Sequence, residues 1–564
     1  MLVNGTRKND SKKCKTRAAF LYARKLYTGL ERTIDNGKLG ERRGWRRFPL
    51  LATSVILFCA ALSLDLYRLG TPSLWFDEAF SVELARQPLP LLWHIIFGPE
   101  PNMELYYLLL HYWLAFTAWL GFNPTEFIVR FPSAIFAALS AVAVFLLGRR
   151  FIGTGGGIVG SALYLLNDLQ LTYAQQTRSY SLQLLLTCLA WYALLVAMTT
   201  EARQKRWWIG YSIMTALAVY VHLFSMLVLL AQVVAVGGLL VVGRRSEQAR
   251  GQIVAFGGSL LAIGVLIIPM WLVSLQGART GWLPMPNLSD IVSLFVTIGG
   301  QHRFYVVAFM ACAGLTITGV AASYCLPLMR GKFEHSAVGK LLLSYRRWQG
   351  IAWVLLCWFL IPLLVSFVVS HGATRLFSSR YLVVILPPLF LLVGLGIVML
   401  RWRVIQLALA LVVMLLAVSA VPFYYRNAQV EDWRSTTSWL EQHYQAGDGL
   451  VCYDNDLEQG CQIATEYYLH AYPGQAHFTA DAPGAFSWEK YGPARLAGPE
   501  EAVDPAALAA YGAKHPRLFF IVGRVPDDAA AARARAAQQW LNNNYQFVDQ
   551  IVTPTVTIRL YITG

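Results

Sequence analysis

The segment Trp75-Phe76-Asp77-Glu78-Ala79-Phe80-Ser81 places two adjacent carboxylates just beyond the first long apolar run, which covers about residues 49–67. Acidic side chains at the end of a membrane span cost free energy, so their presence suggests a structural or functional role. The two carboxylates could anchor an interfacial loop, or they could belong to a reactive site. The pair alone is compatible with both interpretations, but the rest of the chain places it on the outer face beside further polar motifs.

The composition is that of a polytopic membrane protein. The 564 residues are 56% hydrophobic and only 14% charged, and the mean hydropathy is +0.46. In a soluble globular protein about a quarter of the residues are charged. The net charge of +15 does not indicate nucleic-acid binding, because the basic residues form short clusters between apolar runs. Such clusters set membrane topology.

Apolar runs predict about eleven transmembrane helices, since a span needs about 20 apolar residues. The predicted fold class is therefore a mainly α-helical polytopic membrane protein. The runs cover approximately 49–67, 131–148, 153–167, 179–199, 207–222, 223–243, 253–273, 304–326, 351–370, 381–400 and 404–422.

The basic clusters predict the topology. They lie on one side of the membrane if the eleven runs alternate, and this side is the cytoplasm. The apolar stretch 105–122 would break this pattern if it crossed the membrane. We therefore predict that it lies along the outer interface as an amphipathic or re-entrant helix. The clusters are the N-terminal tail, Arg149-Arg150, Arg203/Lys205/Arg206, Arg244-Arg245, Arg330–Arg347 and Arg401/Arg403.

Three parts follow from this topology. Residues 1–48 form a basic cytoplasmic tail, and because no cleavage site follows it, the first span is a signal anchor. Residues 49–422 form the transmembrane domain, with an outer-face first loop at 68–130. Residues 423–564 form a small extracytoplasmic α/β domain. We expect the protein in the bacterial inner (plasma) membrane.

The C-terminal domain has its own predicted elements. Arg517–Arg524 is typical of a buried strand, Asp527–Asn544 of an Ala-rich helix, and Phe547–Thr563 of one or two strands. Cys452 and Cys461 also lie in this domain. A disulfide between them and two free thiols are both compatible with the sequence.

Six segments follow one another along the chain: Trp75–Ser81, Glu100–His111, Glu126–Ala134, Tyr173–Leu182, Arg380–Pro388 and Glu431–Arg434. Together they resemble the GT-C glycosyltransferases, which include the protein O-mannosyltransferases and the aminoarabinose transferase of lipid A (the glycosyltransferase family 39 type). The resemblance implies a GT-C transmembrane fold.

This resemblance also implies a membrane glycosyltransferase. Such an enzyme moves a sugar, with inversion, from a polyprenyl-phosphate donor to a lipid, glycan or protein hydroxyl on the outer face. A lipid-linked donor fits the location, because nucleotide sugars are not available outside. Two alternatives are a protein O-mannosyltransferase in the strict sense and a transporter or flippase for lipid-linked sugars.

The resemblance assigns Asp77 as the general base, since the catalytic Asp of the family occupies the first acidic position of this motif. A carboxylate at the membrane surface can accept the proton of an acceptor hydroxyl. Glu78 would orient Asp77, change its pKa as a neighbouring like charge, or bind the acceptor.

The other predicted site residues bind the two substrates. Arginines at the outer ends of spans would hold the donor phosphate, although arginines there also extend to lipid headgroups. These are Arg130, Arg178, Arg375 and Arg380. Contacts with the acceptor or the sugar are predicted for Asn102, Glu104, Tyr106 and Asp168. For Asp168, a position at a helix end is the alternative.

No cofactor is predicted with certainty, and a divalent metal stays open. His111, His222, His302 and His371 lie near the outer face, but no pair of them has metal-ligand spacing. Asp454-Asn455-Asp456 is typical of a turn after a strand. The Gly-rich segment 153–157 lacks the lysine of a phosphate-binding loop.

Overall fold

The structure is a computed structural model, and it describes residues 47–200, 203–243, 247–275, 280, 283–325, 344–453, 460–491, 503–523, 525 and 528–564. Several predictions lie outside the described residues. These are the basic tail up to residue 46, the cluster Arg244-Arg245, the part of the basic cluster from Arg330 to residue 343, and the Asp454–Asp456 turn.

The described chain is mainly helical up to residue 443. Its helices are α1 (Arg47–Leu66), α2 (Phe76–Arg86), α3 (Leu89–Ile96), α4 (Glu104–Trp119), α5 (Glu126–Phe151), α6 (Thr154–Leu165), α7 (Asp168–Ala174), α8 (Tyr180–Thr199), α9 (Gln204–Val221), α10 (Ser225–Gly243), α11 (Glu247–Leu266), α12 (Ile268–Ser274), α13 (Leu288–Ile298), α14 (Arg303–Cys325), α15 (Gln349–Val369), α16 (Leu386–Met399), α17 (Arg403–Asn427) and α18 (Trp433–His443). Short 3₁₀ turns at Arg346–Trp348 and Leu382–Ile385 precede α15 and α16.

A sheet and further helices follow. The strands are β1 (Gly449–Tyr453), β2 (Arg517–Val522), β3 (Gln546–Val552) and β4 (Thr557–Ile562), and the helices are α19 (Gly460–Ala471), α20 (Pro505–Gly512) and α21 (Asp528–Asn544), with a 3₁₀ turn at Trp488–Lys490. The strand at Arg517, the Ala-rich helix and the strands near the C-terminus agree with the individual elements that the sequence predicts. A separate extracytoplasmic α/β domain of residues 423–564 stays a prediction.

The chain forms two compact units. The first unit contains the described residues of the ranges Met1–Asp65, Ile135–Thr172 and Tyr180–Tyr424. The second unit contains Leu66–Ala134, Tyr173–Ser179 and Tyr425–Gly564. The second unit thus combines the first loop and the short Tyr173 segment with the four described strands.

Seven described helices are long and apolar enough to cross a membrane: α1, α5, α8, α14, the Arg346–Val369 segment, the Leu382–Met399 segment and α17. The pair α11 and α12, bent by 58° at a short break, brings the number to eight. The chain is therefore an integral membrane protein.

The predicted number of about eleven spans is not confirmed. The three other predicted spans correspond to α6, α9 and α10, which have 12, 18 and 19 residues. A helix rises about 1.5 Å per residue, so α6 is much shorter than a hydrocarbon core of about 30 Å. The placement of α4 along the outer interface stays a prediction.

The glycines of α6 serve close helix packing within the first unit. A Cβ on Gly148 of α5 would lie 2.5 Å from the Cα of Gly157, and a Cβ on Gly394 of α16 would lie 2.5 Å from the carbonyl oxygen of Gly156. Small residues at such contacts let helix backbones approach closely. The glycine-rich segment at 153–157 therefore has a packing role.

The sheet in the second unit has the strand order β1-β2-β4-β3. Strands β1 and β2 are parallel, with Gly449 opposite Leu518, and the other pairs are antiparallel. Buried side chains from β1, β2 and α21 form its core, among them Val451, Phe520 and Leu541. Cys452 and Cys461 form a disulfide with a Cα–Cα distance of 5.8 Å, so one of the two alternatives left by the sequence holds.

Candidate active site

The acidic pair lies in the first turn of α2, within the second unit. A helix N-terminus carries free backbone N–H groups and a partial positive charge, which stabilise carboxylates there. Asp77 and Glu78 are neighbours in sequence, but successive helical residues point about 100° apart. The two side chains consequently have different surroundings.

Glu78 is fully buried and forms a two-pronged ion pair with Arg130 of α5. The Arg130 Nε donates to Oε1 at 2.8 Å and Nη2 donates to Oε2 at 2.7 Å. The backbone N–H of Thr177 also donates to Oε1, at 2.7 Å. A buried charge is tolerated only when it is paired and hydrogen-bonded, and Glu78 meets both conditions.

Arg130 uses its remaining N–H groups on the loop before α2. Its Nη1 donates to the carbonyl oxygens of Leu69 at 3.0 Å and Pro72 at 2.8 Å, and its Nη2 donates to that of Ser73 at 3.2 Å. A guanidinium has five N–H donors, and these contacts together with Glu78 occupy all of them. The geometry therefore favours a role for Arg130 in holding the loop over the predicted role in phosphate binding.

Asp77 is partly open to solvent, with 15% of its side chain exposed, and it lies beside Arg178. The Arg178 Nη2 is 3.7 Å from Oδ2 of Asp77. The Nη1 group of Arg178 donates to the backbone carbonyl of Asp77 and to the Ser81 hydroxyl, both at 3.1 Å. Asp77 is thus the accessible carboxylate of the pair, and it has a cation next to it.

Glu104 begins α4 and is fully buried in the same unit. Among the described residues neither of its carboxylate oxygens has a hydrogen-bond partner. Burial raises the pKa of Glu104 to about 8, and the charge of Glu100 adds to the shift. Glu104 is therefore mostly protonated at neutral pH and can donate a hydrogen bond.

Tyr106 and Asn102 flank Glu104. The Tyr106 hydroxyl is buried 3.4 Å from the Ser133 hydroxyl, which donates to the Arg178 carbonyl at 3.5 Å. Burial raises the pKa of Tyr106. Asn102 is half-buried in the turn that leads into α4.

Seven of the ten predicted site residues belong to the second unit. The remaining three, Asp168, Arg375 and Arg380, belong to the first unit. Asp168 is the first residue of α7, and burial raises its pKa to about 6. Nη1 of Arg375 donates to the carbonyl oxygens of Ser370 and Gly372 at the end of α15. Arg380 is half-buried in the turn before Leu382.

The contacts also involve residues to which the sequence assigned no role. Ser81 and Thr177 contact Arg178 and Glu78, and Glu431 accepts the Phe76 N–H at 2.8 Å. Arg434 forms an ion pair with buried Glu126. All of these residues lie in the six quoted segments, which were therefore the signal available in the sequence. Their contacts join distant positions, which are 355 residues apart for Phe76 and Glu431.

The described residues contain no group of three or more His, Cys, Asp or Glu side chains that could hold a metal ion. Ring nitrogens of His111 and His371 lie 2.8 Å and 2.9 Å from backbone carbonyls. Those of His222 and His302 accept backbone N–H groups. Each of these histidines thus has one ring nitrogen within hydrogen-bond distance of a backbone group.

Residues 108–272 match the family model of dolichyl-phosphate-mannose-protein mannosyltransferase. The structure is similar to ArnT from Cupriavidus metallidurans in the apo state, with a TM-score of 0.58 and 11% identity over 90% of this chain and 98% of ArnT. The chain has the fold of a GT-C glycosyltransferase, as its motifs predicted.

A second ArnT structure, bound to undecaprenyl phosphate, gives a TM-score of 0.55 and 12% identity over 90% of this chain and 97% of ArnT. No curated protein matches the sequence. The likeness to solved structures therefore concerns the GT-C fold, and the roles of individual residues rest on the geometry of this chain.

Proposed function

We propose that the protein is an inverting membrane glycosyltransferase that moves a sugar from a polyprenyl-phosphate donor to an acceptor hydroxyl at the outer face of the membrane. Asp77 is the general base. Its carboxylate takes the hydroxyl proton while the acceptor oxygen bonds to the anomeric carbon of the sugar. The bond from that carbon to the phosphate oxygen breaks, and the lipid phosphate leaves with the electron pair.

The observation that carries this proposal is the contrast within the acidic pair. Glu78 is buried and fully paired with Arg130, whereas Asp77 is partly exposed beside Arg178. A general base must reach the proton that it removes, and of the pair only Asp77 has a side chain that is partly exposed to solvent. Glu78 and Arg130 are positioning residues that fix α2 and the loop before it.

Arg178 is the proposed partner of the leaving phosphate in the second unit. Its side chain is held by Ser81 and by the Asp77 carbonyl, so its charge stays next to the base. A fixed cation stabilises negative charge that develops in the transition state. We further propose that Arg375 and Arg380 contribute to binding the donor phosphate, and that Asp168 contacts the sugar or acceptor.

Glu104 is proposed to bind the acceptor or the sugar as a neutral acid, together with Asn102 and Tyr106. A protonated carboxyl has one O–H donor and a free acceptor oxygen, which matches a sugar hydroxyl. Because its own oxygens have no partner among the described residues, a ligand hydroxyl there would satisfy two buried polar atoms.

The ArnT structure with bound undecaprenyl phosphate supports a polyprenyl-phosphate donor for this chain. The acceptor class stays open among lipid, glycan and protein hydroxyls. The description of the family that matches residues 108–272 favours a protein hydroxyl, so protein mannosylation is the second candidate. The two candidates share the donor chemistry and the base.

The test uses purified protein and its Asp77→Asn variant, each incubated with polyprenyl-phosphate sugars and an envelope extract that contains acceptors. Wild type should consume the donor, and Asp77→Asn should lower turnover about 10²- to 10⁴-fold. Asp504→Asn is the matched control, because Asp504 accepts a hydrogen bond from the Ala506 N–H at the start of α20 in the same unit.

Mass spectrometry of the retained lipid and of the product completes the test. The Asp77→Asn variant should hold the intact lipid-linked sugar, while wild type should release free lipid phosphate and a glycosylated acceptor. Equal retention of the donor by both proteins, with any acceptor added, would contradict a transferase. A glycosylated peptide in place of a glycosylated lipid would select the second candidate.

A further inference from the structure

We infer that Glu431, which precedes α18 in the C-terminal part of the second unit, is a positioning residue for the helix that carries Asp77. The inference deepens the proposed function and rests on it. It gives the C-terminal residues a defined task in the reaction: they fix the start of α2, so that the base keeps its place relative to the substrates.

The first observation concerns the cap of α2. The residue before the helix, Trp75, provides no side-chain hydrogen bond to the first turn. Helices normally satisfy one of these N–H groups with a local Ser, Thr, Asp or Asn. Here the Oε2 atom of Glu431 accepts the N–H of Phe76 at 2.8 Å. A distant carboxylate thus replaces the local cap, and its charge complements the helix N-terminus.

The second observation is that Glu431 is itself held in place. The same Oε2 atom accepts the indole Nε1–H of Trp433 at 2.7 Å, and the Trp433 side chain is buried. The indole lies against Gly523 at the end of β2, where an added Cβ would come within 2.4 Å of the ring. The position of the carboxylate therefore depends on the sheet.

The third observation is that the loop before α2 is tied to the same segment. The Ser73 hydroxyl oxygen accepts the backbone N–H groups of Trp433 at 3.1 Å and Arg434 at 3.2 Å. The Arg434 guanidinium donates to the carbonyl oxygen of Gly70 at 2.8 Å and to buried Glu126 at 2.6 Å. Both the loop and the helix start are thereby fixed by residues 431–434.

These contacts bear on catalysis because Asp77 directly follows Phe76. A loose first turn would let the Asp77 carboxylate move by a fraction of a helical turn. Displacements of about 1 Å can lower rates about 10²-fold. Loss of the Glu431 cap should therefore lower kcat, while the affinity for substrates, which depends on other residues, should change little.

The test compares Glu431→Ala, Glu431→Gln and the control Asp504→Ala, which removes a local helix cap in the same unit. Glu431→Ala should lower kcat about 10- to 100-fold with unchanged KM for donor and acceptor. Glu431→Gln keeps an acceptor oxygen and should stay within about threefold of wild type. Asp504→Ala should leave kcat unchanged.

Hydrogen exchange provides a readout that does not depend on the reaction. In Glu431→Ala the amides at the start of α2 should exchange about tenfold faster, while those near its end should not change. Equal kcat values for Glu431→Ala and Asp504→Ala would overturn the positioning role. Unchanged exchange at Phe76 would overturn the cap itself. An inactive wild type with faster exchange in the variant would reject the proposed function and retain the cap.

Discussion

Helices α2 and α4 of the second unit both have acidic side chains in their first turn, but the carboxylates at the two sites differ in their hydrogen-bond partners. At the start of α2, Glu78 has an arginine and a backbone N–H as partners, and Asp77 has Arg178 beside it. At the start of α4, Glu104 is equally buried, yet neither carboxylate oxygen has a hydrogen-bond partner among the described residues.

The difference shows that burial alone does not determine the chemistry of a carboxyl group. An acid that receives a guanidinium and N–H donors can stay ionised in the interior, whereas burial without partners favours the neutral form. One unit therefore contains Glu78, a buried carboxylate paired with an arginine, and Glu104, a buried carboxyl whose oxygens have no partner among the described residues and whose pKa is raised by burial. Such a pairing of opposite environments is a common way to separate the roles of a base and a proton donor.

Among the substitutions that test this difference, removal of Arg130 should have the largest effect on stability. Arg130→Met leaves the Glu78 carboxylate buried without its ion pair, which should lower the free energy of unfolding by about 3–5 kcal/mol. The double variant Glu78→Gln/Arg130→Met removes the uncompensated charge as well. It should recover part of the loss in denaturant titrations of the detergent-solubilised protein. A double variant that is less stable than the single one would contradict an ion-pair role.

The substitution Glu104→Gln should test whether the protonated form of Glu104 stabilises the folded state. Burial raises the pKa of Glu104 to about 8 from its ordinary value of 4.5, so the proton stabilises the folded state fully below about pH 4.5. This contribution is lost as pH rises towards 8. The Tm of wild type should therefore fall by roughly 5 °C or more between pH 5 and pH 8. In Glu104→Gln this fall should be smaller, and an identical pH profile in both proteins would mean that Glu104 has a polar partner.

The substitution His470→Gln should have the smallest effect on stability. It tests a third acidic side chain, Glu83, near the C-terminal end of α2. The His470 Nδ1 lies 2.9 Å from Oε2 of Glu83, and this hydrogen bond raises the pKa of His470. The charged imidazole therefore stabilises the fold below its ordinary pKa, and this is lost as pH rises through the folded value. His470 is half-exposed, so the loss is about 0.5–1 kcal/mol. Thermal melts at pH 6 and pH 8 should differ less for His470→Gln than for wild type.

The sequence predicted the elements with a strong local signal. The apolar runs at 49–67 and 404–422 are helices long enough to span, and the apolar segment at Arg517 is a central strand. The number of spans was harder to predict, because α6 is an apolar helix of only 12 residues that packs closely against α16. Helix α13, between the predicted spans 253–273 and 304–326, was also not predicted, although Asn287 and Asp290 form a capping box at its start.

The motifs located the candidate site without revealing its contacts. Asp77, Glu78, Arg130, Arg178 and Glu104 all lie in quoted segments, and the structure brings these five residues into one unit. The choice between phosphate binding and loop anchoring for Arg130 could not be made from sequence, since it depends on three carbonyl oxygens around residue 70. Backbone carbonyls carry no sequence signature.

The amino-acid sequence by itself determined the membrane class, the family resemblance and the acidic motif, because these follow from composition and from residues that are neighbours along the chain. Only the tertiary structure decided which buried carboxylate is paired with an arginine, which arginine is committed to the loop, and that Glu431 caps the helix of Asp77. These properties depend on partners that are 52 to 355 residues away. Burial and charge pairing arise when the chain folds, and local spacing does not encode them.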